Sequence, residues 1–347
     1  MKILKNTHAN GASGGAENLR EVKDFGSNPG NLRLLTYVPR NLPEAPALVV
    51  ALHGCTQTTA VYDHGSGWST LADMYGFAVL FPEQQRTNNP NNCFNWFLPS
   101  DNQRNHGEAL SIRQMIEQMI EDHGIDRRRV FVVGLSAGGA MTSAMLATYP
   151  DVFAGGAIIA GLPYGCATNV QDAFETMARG RDHSARALGN LIRAASTHRG
   201  PWPKLSIWHG SSDAIVNVKN MEQAVQQWID VHGVSVLPRI EHEDEGHSRR
   251  VWRTEAGDDA IEAITIWGMG HGVPLATSGD PERCGNAGPF HFDVGYCSSH
   301  HIVRFWGLAD PRTAMEQRAG SGIPHRTISA ISASWEARCV LANQGRQ

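Results

Sequence analysis

The sequence predicts an α/β domain, a doubly wound and mostly parallel sheet with a small helical cap. Continuous apolar runs recur at 47–52, 77–81, 130–133, 156–160, 205–210 and 263–267, as expected of strands covered on both faces. Between them lie helical stripes. Ile112, Met115, Ile116, Met119 and Ile120 fall on one face before Gly124, and Met221, Ala224, Val225, Trp228 and Ile229 do so before Gly233. The alternation runs from about residue 47 to 310 without a linker, composition break or internal repeat, which describes one domain.

Each element follows in order. Residues 1–24 are polar and glycine-rich and are expected to form a flexible arm. The run 32–38 partly alternates and ends at Pro39, reading as a first strand. The strand at 47–52 delivers His53-Gly54-Cys55-Thr56-Gln57 into a loop, and the strand at 77–81 stops at Pro82. An asparagine-rich loop then carries Cys93-Phe94-Asn95-Trp96-Phe97, apolar residues that read as a mini-core under the loop or as pocket lining. The methionine stripe of the next helix is core. Residues 170–200 look helical but weakly patterned, and are expected to cap the site. The catalytic domain is expected over 25–311, with an uninformative extension over 312–347.

The run 129–141 is a buried strand that turns through Gly134-Leu135-Ser136-Ala137-Gly138 into a helix of small residues. This is G-x-S-x-G in its required strand–turn–helix context, the nucleophile elbow of the α/β-hydrolase fold. A neutral serine is a poor nucleophile, and the tetrahedral intermediate it forms carries an oxyanion. The first needs a base oriented by a carboxylate, and the second needs converging N–H donors. In open α/β sheets such groups stand at the carboxyl ends of strands. Asp213 follows the strand at 205–210 by a short loop, a place where an Asx-turn aspartate is the common alternative. The order Ser, Asp, His favours it as the acid. His271, flanked by Gly270 and Gly272 after the strand at 263–267, is the expected base. His247 is its rival, in a charged segment that reads as a hairpin or surface loop. The N–H groups of Ala137 and Cys55 are the expected oxyanion donors. His53 reads as a wall of that hole or as a ring bonded to the loop backbone, two compatible roles. Trp96, Trp68 and Tyr164 are candidates for lining an apolar substrate groove, with core tryptophans the commoner case.

The formal net charge of −4 argues against nucleic acid, and no run reaches the length of a membrane span. His242 and His247 stand five apart rather than four, so they share no helix face. No metal or cofactor is expected. The amino terminus is basic but lacks the apolar core of a signal peptide. Six cysteines form no C-x-x-C pair, leaving both bridges and buried free thiols open.

Taken together, Leu52–Gln57, Cys93–Phe97, Gly134–Met141 and Gly268–Gly272, with Phe25–Gly30, resemble the polyhydroxybutyrate depolymerase family of esterases over about residues 21–310. The resemblance implies a Ser136–Asp213–His271 triad, with His53 and Cys55 at the oxyanion site. It implies short-chain polyesters of 3-hydroxy acids, or their oligomers, as substrate. The family's relatives include feruloyl and acetylxylan esterases, which are the alternative, and a catalytically silent binding protein on the same scaffold is another. Family members are usually exported, implying an extracellular or periplasmic place and favouring bridges, Cys284 with Cys297 among them, whereas cytoplasmic residence, the alternative, would favour free thiols. A monomer is expected. Extracellular depolymerases of this type also carry a signal peptide and a polymer-binding module, and neither is expected in this chain.

Overall fold

The computed structural model describes residues 18–279 and 283–309. The expected extension over 312–347 lies outside these residues, as does most of the expected arm. Its end differs from expectation, because Arg20–Val22 pairs antiparallel with the next strand.

Ten strands form one sheet. In chain order they are β1 (Arg20–Val22), β2 (Arg33–Tyr37), β3 (Ala47–Leu52), β4 (Phe77–Glu83), β5 (Val130–Leu135), β6 (Gly155–Ile159), β7 (Lys204–Gly210), β8 (Ile240–Glu243), β9 (His247–Arg253) and β10 (Asp259–Ile266). Across the sheet they run β1-β2-β4-β3-β5-β6-β7-β10-β9-β8. The stretch from β4 through β10 is parallel, and both edges are antiparallel. A separate parallel pair joins β11 (Val273–Leu275) to β12 (His291–Asp293).

The helices are α1 (Thr59–Ser66), α2 (Trp68–Tyr75), α3 (Pro99–Asn102), α4 (Gly107–His123), α5 (Ala137–Thr148), α6 (Val170–Arg179), α7 (Ala185–Ala195), α8 (Lys219–His232) and α9 (Ser298–Phe305). They cover both faces. Leu48, Val50 and Leu52 of β3 enter one core with the α4 stripe, α5 and α8. Ala47, Val49 and Ala51 enter the other with α1, α2 and α9. Side chains two apart share a face of a strand, so a continuous apolar run supplies two cores at once.

One difference from the sequence reading has a simple cause. Strand β4 continues past Pro82 to Glu83 because its pairing with β3 ends at Leu80, and Pro82 sits opposite Leu34 of β2 alone. A proline costs no ladder bond on a side with nothing to pair. The expected cap is two helices, α6 and α7, each with its own side-chain N-cap from Asn169 and Ser184.

Candidate active site

Strand β5 ends at Leu135, and the chain reverses at Ser136 with φ +57° and ψ −117° before α5 begins. A non-glycine residue rarely adopts this conformation, and surrounding structure must hold it there. The Ser136 N–H donates to the Ile159 carbonyl at 2.9 Å, and its own carbonyl accepts the Ala140 N–H at 2.9 Å. Gly138 makes the turn possible. A Cβ there would lie 2.3 Å from the carbonyl oxygen of Leu52, so only glycine lets α5 lie against the end of β3.

Asp213 sits in the loop after β7, pinned across the strand tops. The Ser211 N–H donates to the Ile266 carbonyl and the Ser212 N–H to that of Met269, both at 2.9 Å. Gly210 permits this crossing, since a Cβ there would stand 2.2 Å from the Met269 carbonyl oxygen. The same turn delivers His271, whose Nδ1 lies 2.7 Å from Asp213 Oδ2. Asp213 Oδ1 accepts the N–H groups of Ile215 and Val216, each at 2.9 Å. Burial alone would raise this carboxyl. The bonds from His209 and His271 outweigh it and hold Asp213 well below the usual carboxylate range.

A cavity of about 530 Å³ opens at this edge and is lined by both Ser136 and His271. Its floor and walls are mostly apolar, with Leu135, Trp96 and Phe97 on one side and Ala173, Phe174 and Met177 of α6 on another. That size and character suit a small neutral ligand or a segment of a longer one. Phe290 closes against the His271 ring edge-on, with centroids 6.1 Å apart.

The turn after β3 adds Gly54 and Cys55 to the lining. Neither the Cys55 nor the Ala137 N–H has a hydrogen-bond partner among the described residues. The turn is tied down from three directions. Gly54 N–H donates to Gln57 Oε1 at 2.8 Å, Thr56 N–H to the Asn91 carbonyl at 2.6 Å, and Cys55 is disulfide-bonded to Cys93. The sequence reading missed this last bridge, which fastens the turn to the residue just before the segment bearing Trp96 and Phe97. The second bridge, Cys284–Cys297, is the pair the family resemblance implied. Cys166 is a buried free thiol, pushed up to about 12 by desolvation.

His53 stands behind the turn and not in the cavity wall. Its Nδ1 donates to the Gly54 carbonyl at 2.8 Å, and its Nε2 accepts the Gln84 N–H at 3.0 Å. Burial holds the ring neutral. Of the three aromatic candidates, Trp96 lines the cavity. Trp68 does not, and that expectation is corrected. It is wholly buried at the start of α2, stacked on Trp306 in the opposite core among Tyr62, Leu71 and Ala72 of the same cluster. Tyr164 is likewise outside the lining, its backbone held by Gln227 of α8 through both amide atoms at 3.0 Å. His247 begins β9, the strand next to the β8 edge, stacked on Tyr296 and 3.1 Å from Asp244. Sequence reasoning also missed Phe290 and the α6 residues, whose pattern carried no signal of which face meets the site.

A strained serine at a strand–helix turn and a hydrogen-bonded Asp-His pair therefore stand at the same edge of the sheet, with Ser136 and His271 both lining one apolar cavity. The family described as "Esterase PHB depolymerase" matches residues 34–256. Poly(3-hydroxyalkanoate) depolymerase C of Paucimonas lemoignei is 48% identical over 291 residues, covering 84% of this chain and 70% of that protein. Feruloyl esterase B of Talaromyces stipitatus is 32% identical over 273 residues, covering 76% of this chain and 74% of that one. Among solved structures, the acetyl xylan esterase from Aspergillus awamori superposes with a TM-score of 0.71 at 28% identity, covering 84% of this chain and 99% of that one. The chain belongs to the PHB depolymerase family of esterases and is a carboxylic ester hydrolase with the α/β-hydrolase fold.

Proposed function

We propose that this chain hydrolyses short-chain polyhydroxyalkanoates or their oligomers through an acyl-enzyme on Ser136. The observation that carries the chemistry is the 2.7 Å His271–Asp213 pair opening on the cavity that Ser136 also lines. His271 takes the hydroxyl proton as Oγ attacks the ester carbonyl, and Asp213 holds the ring and stabilises the imidazolium. The N–H groups of Cys55 and Ala137 receive the oxyanion, each contributing about 3–4 kcal/mol in such sites. On collapse of the intermediate His271 returns the proton to the leaving alcohol. Water then attacks the acyl carbonyl as His271 takes its proton, and on collapse His271 returns that proton to Ser136 Oγ as the acid leaves.

The substrate reading is supported by the 48% identity to the Paucimonas lemoignei depolymerase and by a cavity lined mostly by apolar groups. An aryl or acetyl ester of a plant polysaccharide is the second reading, favoured by Trp96, Phe97, Phe174 and Phe290 around the site. Two disulfides support work in an oxidising compartment, outside the cytoplasm. Incubation with amorphous poly(3-hydroxybutyrate), followed by chromatography of the products, tests the reading beside a methyl ferulate control. Release of 3-hydroxybutyrate monomer or short oligomers is expected. Ferulate release with no soluble hydroxy acid contradicts it.

A further inference from the structure

Asp213 serves two histidines with one oxygen. His271 Nδ1 stands 2.7 Å from Oδ2, and His209 Nε2 stands 3.2 Å from the same atom. His209 is the penultimate residue of β7 and is 1% exposed. Its Nε2 also lies 2.8 Å from the Val216 carbonyl oxygen. A carbonyl oxygen only accepts, so Nε2 carries a proton that it shares between that carbonyl and the carboxylate.

The two bonds have a joint geometric effect. Asp213 Oδ1 is committed to the N–H groups of Ile215 and Val216 within its own loop. His209 then fixes Oδ2 from β7 and ties the far end of the loop, at Val216, to the same imidazole. The carboxylate plane is held from three sides before His271 meets it. His209 itself does not line the cavity and so reaches no substrate. The titratable groups facing Asp213 are His209 from β7 and His271 from the turn after β10.

We propose that His209 is a positioning residue for ester hydrolysis, its Nε2–H orienting the Asp213 carboxylate so that Oδ2 is presented to His271. This rests on the triad reading above. An aspartate that turns freely in its loop would give His271 a misdirected acceptor, and the ring would lose the orientation that proton transfer requires. Binding would be untouched, so the loss falls on kcat.

The test compares His209→Phe, His209→Gln and His209→Asn in the full chain, with p-nitrophenyl butyrate as the probe. Active sites are counted by organophosphate titration, and folding is followed by circular dichroism. Phenylalanine keeps a ring and removes the donor; glutamine carries an amide donor to roughly the reach of Nε2; asparagine is polar but one methylene shorter. For the phenylalanine variant, kcat per titrated site is expected to fall about tenfold with KM within about twofold, far less than the roughly 10⁴-fold loss when a triad aspartate is neutralised. Glutamine is expected to recover most of the loss and asparagine little. The glutamine–asparagine pair decides the matter alone if the phenylalanine variant does not fold. Wild-type kcat in the phenylalanine variant overturns the proposal, and so does equal impairment by glutamine and asparagine. Asp213→Asn separates the two levels. Full activity there sinks the triad reading, whereas an inactive Asp213→Asn beside an unimpaired His209→Phe sinks only the role of His209.

Discussion

At the scale of single residues, the site is backed by buried polar groups that hydrogen-bond one another. Glu108 is the most demanding. It lies fully buried in α4, where its carboxylate accepts the Gln84 Nε2 donor at 2.5 Å, the Asn95 N–H at 2.8 Å and Asn95 Nδ2 at 2.9 Å. Gln84 in turn donates its N–H to His53, behind the turn that carries Cys55. Burial pushes the Glu108 carboxyl up from 4.5 to about 8, against the opposing pull of these donors. A folded-state value above the unfolded one means that the native state holds the proton more tightly. That contribution to stability is complete below 4.5 and is lost as pH rises through about 8. Urea denaturation of wild type and Glu108→Gln across this range is therefore expected to show the wild type losing ground steadily as pH rises. A constant difference between the two would contradict the account.

At the scale of elements, the two loops that build the cavity wall are joined covalently. Cys55–Cys93 links residues 38 apart and fastens the turn after β3 to the segment bearing Trp96. Removing a bridge of this kind costs about 2–4 kcal/mol. Cys93→Ala is expected to lower stability by that amount. It is also expected to cut kcat about tenfold, because the Cys55 N–H loses its aim while remaining present; removing an oxyanion donor outright costs about 10²–10³. Unchanged kcat in a stably folded Cys93→Ala chain would show that the bridge does not aim this donor. How much of this was legible in the sequence differs by element. The parallel strands were readable because burial on both faces writes an unbroken apolar run, and the α4 stripe because a 3.6-residue period does the same for one face. The placement of Ser136, Asp213 and His271 at the carboxyl edge of the sheet was readable because a sharp turn, a strand end and a glycine-flanked loop constrain residue type locally. Helices α1 and α2 went unread because their buried set mixes Thr59, Asp63 and Ser66 with apolar residues. The Cys55–Cys93 bridge and the Phe290 wall depend on long-range proximity that no local spacing encodes. Trp68 and Trp96 illustrate the same point: both are tryptophans, and only the packing around each decides which one faces the cavity.

At the scale of the whole molecule, the parallel sheet acts as a frame that collects distant residues at one edge. Ser136 comes from the end of β5, Asp213 from beyond β7 and His271 from beyond β10, so no short segment contains the proposed chemistry. On the proposed mechanism Ser136 alone becomes nucleophilic, and does so through His271. The measurement that tests it most directly is peptide mass mapping after treatment with a p-nitrophenyl phosphonate, on wild type and His271→Ala. A single stoichiometric phosphonyl adduct on Ser136, formed at least about 10³-fold more slowly in the His271→Ala chain, is the predicted result. An adduct on another residue, or labelling of Ser136 at an equal rate without His271, would contradict it.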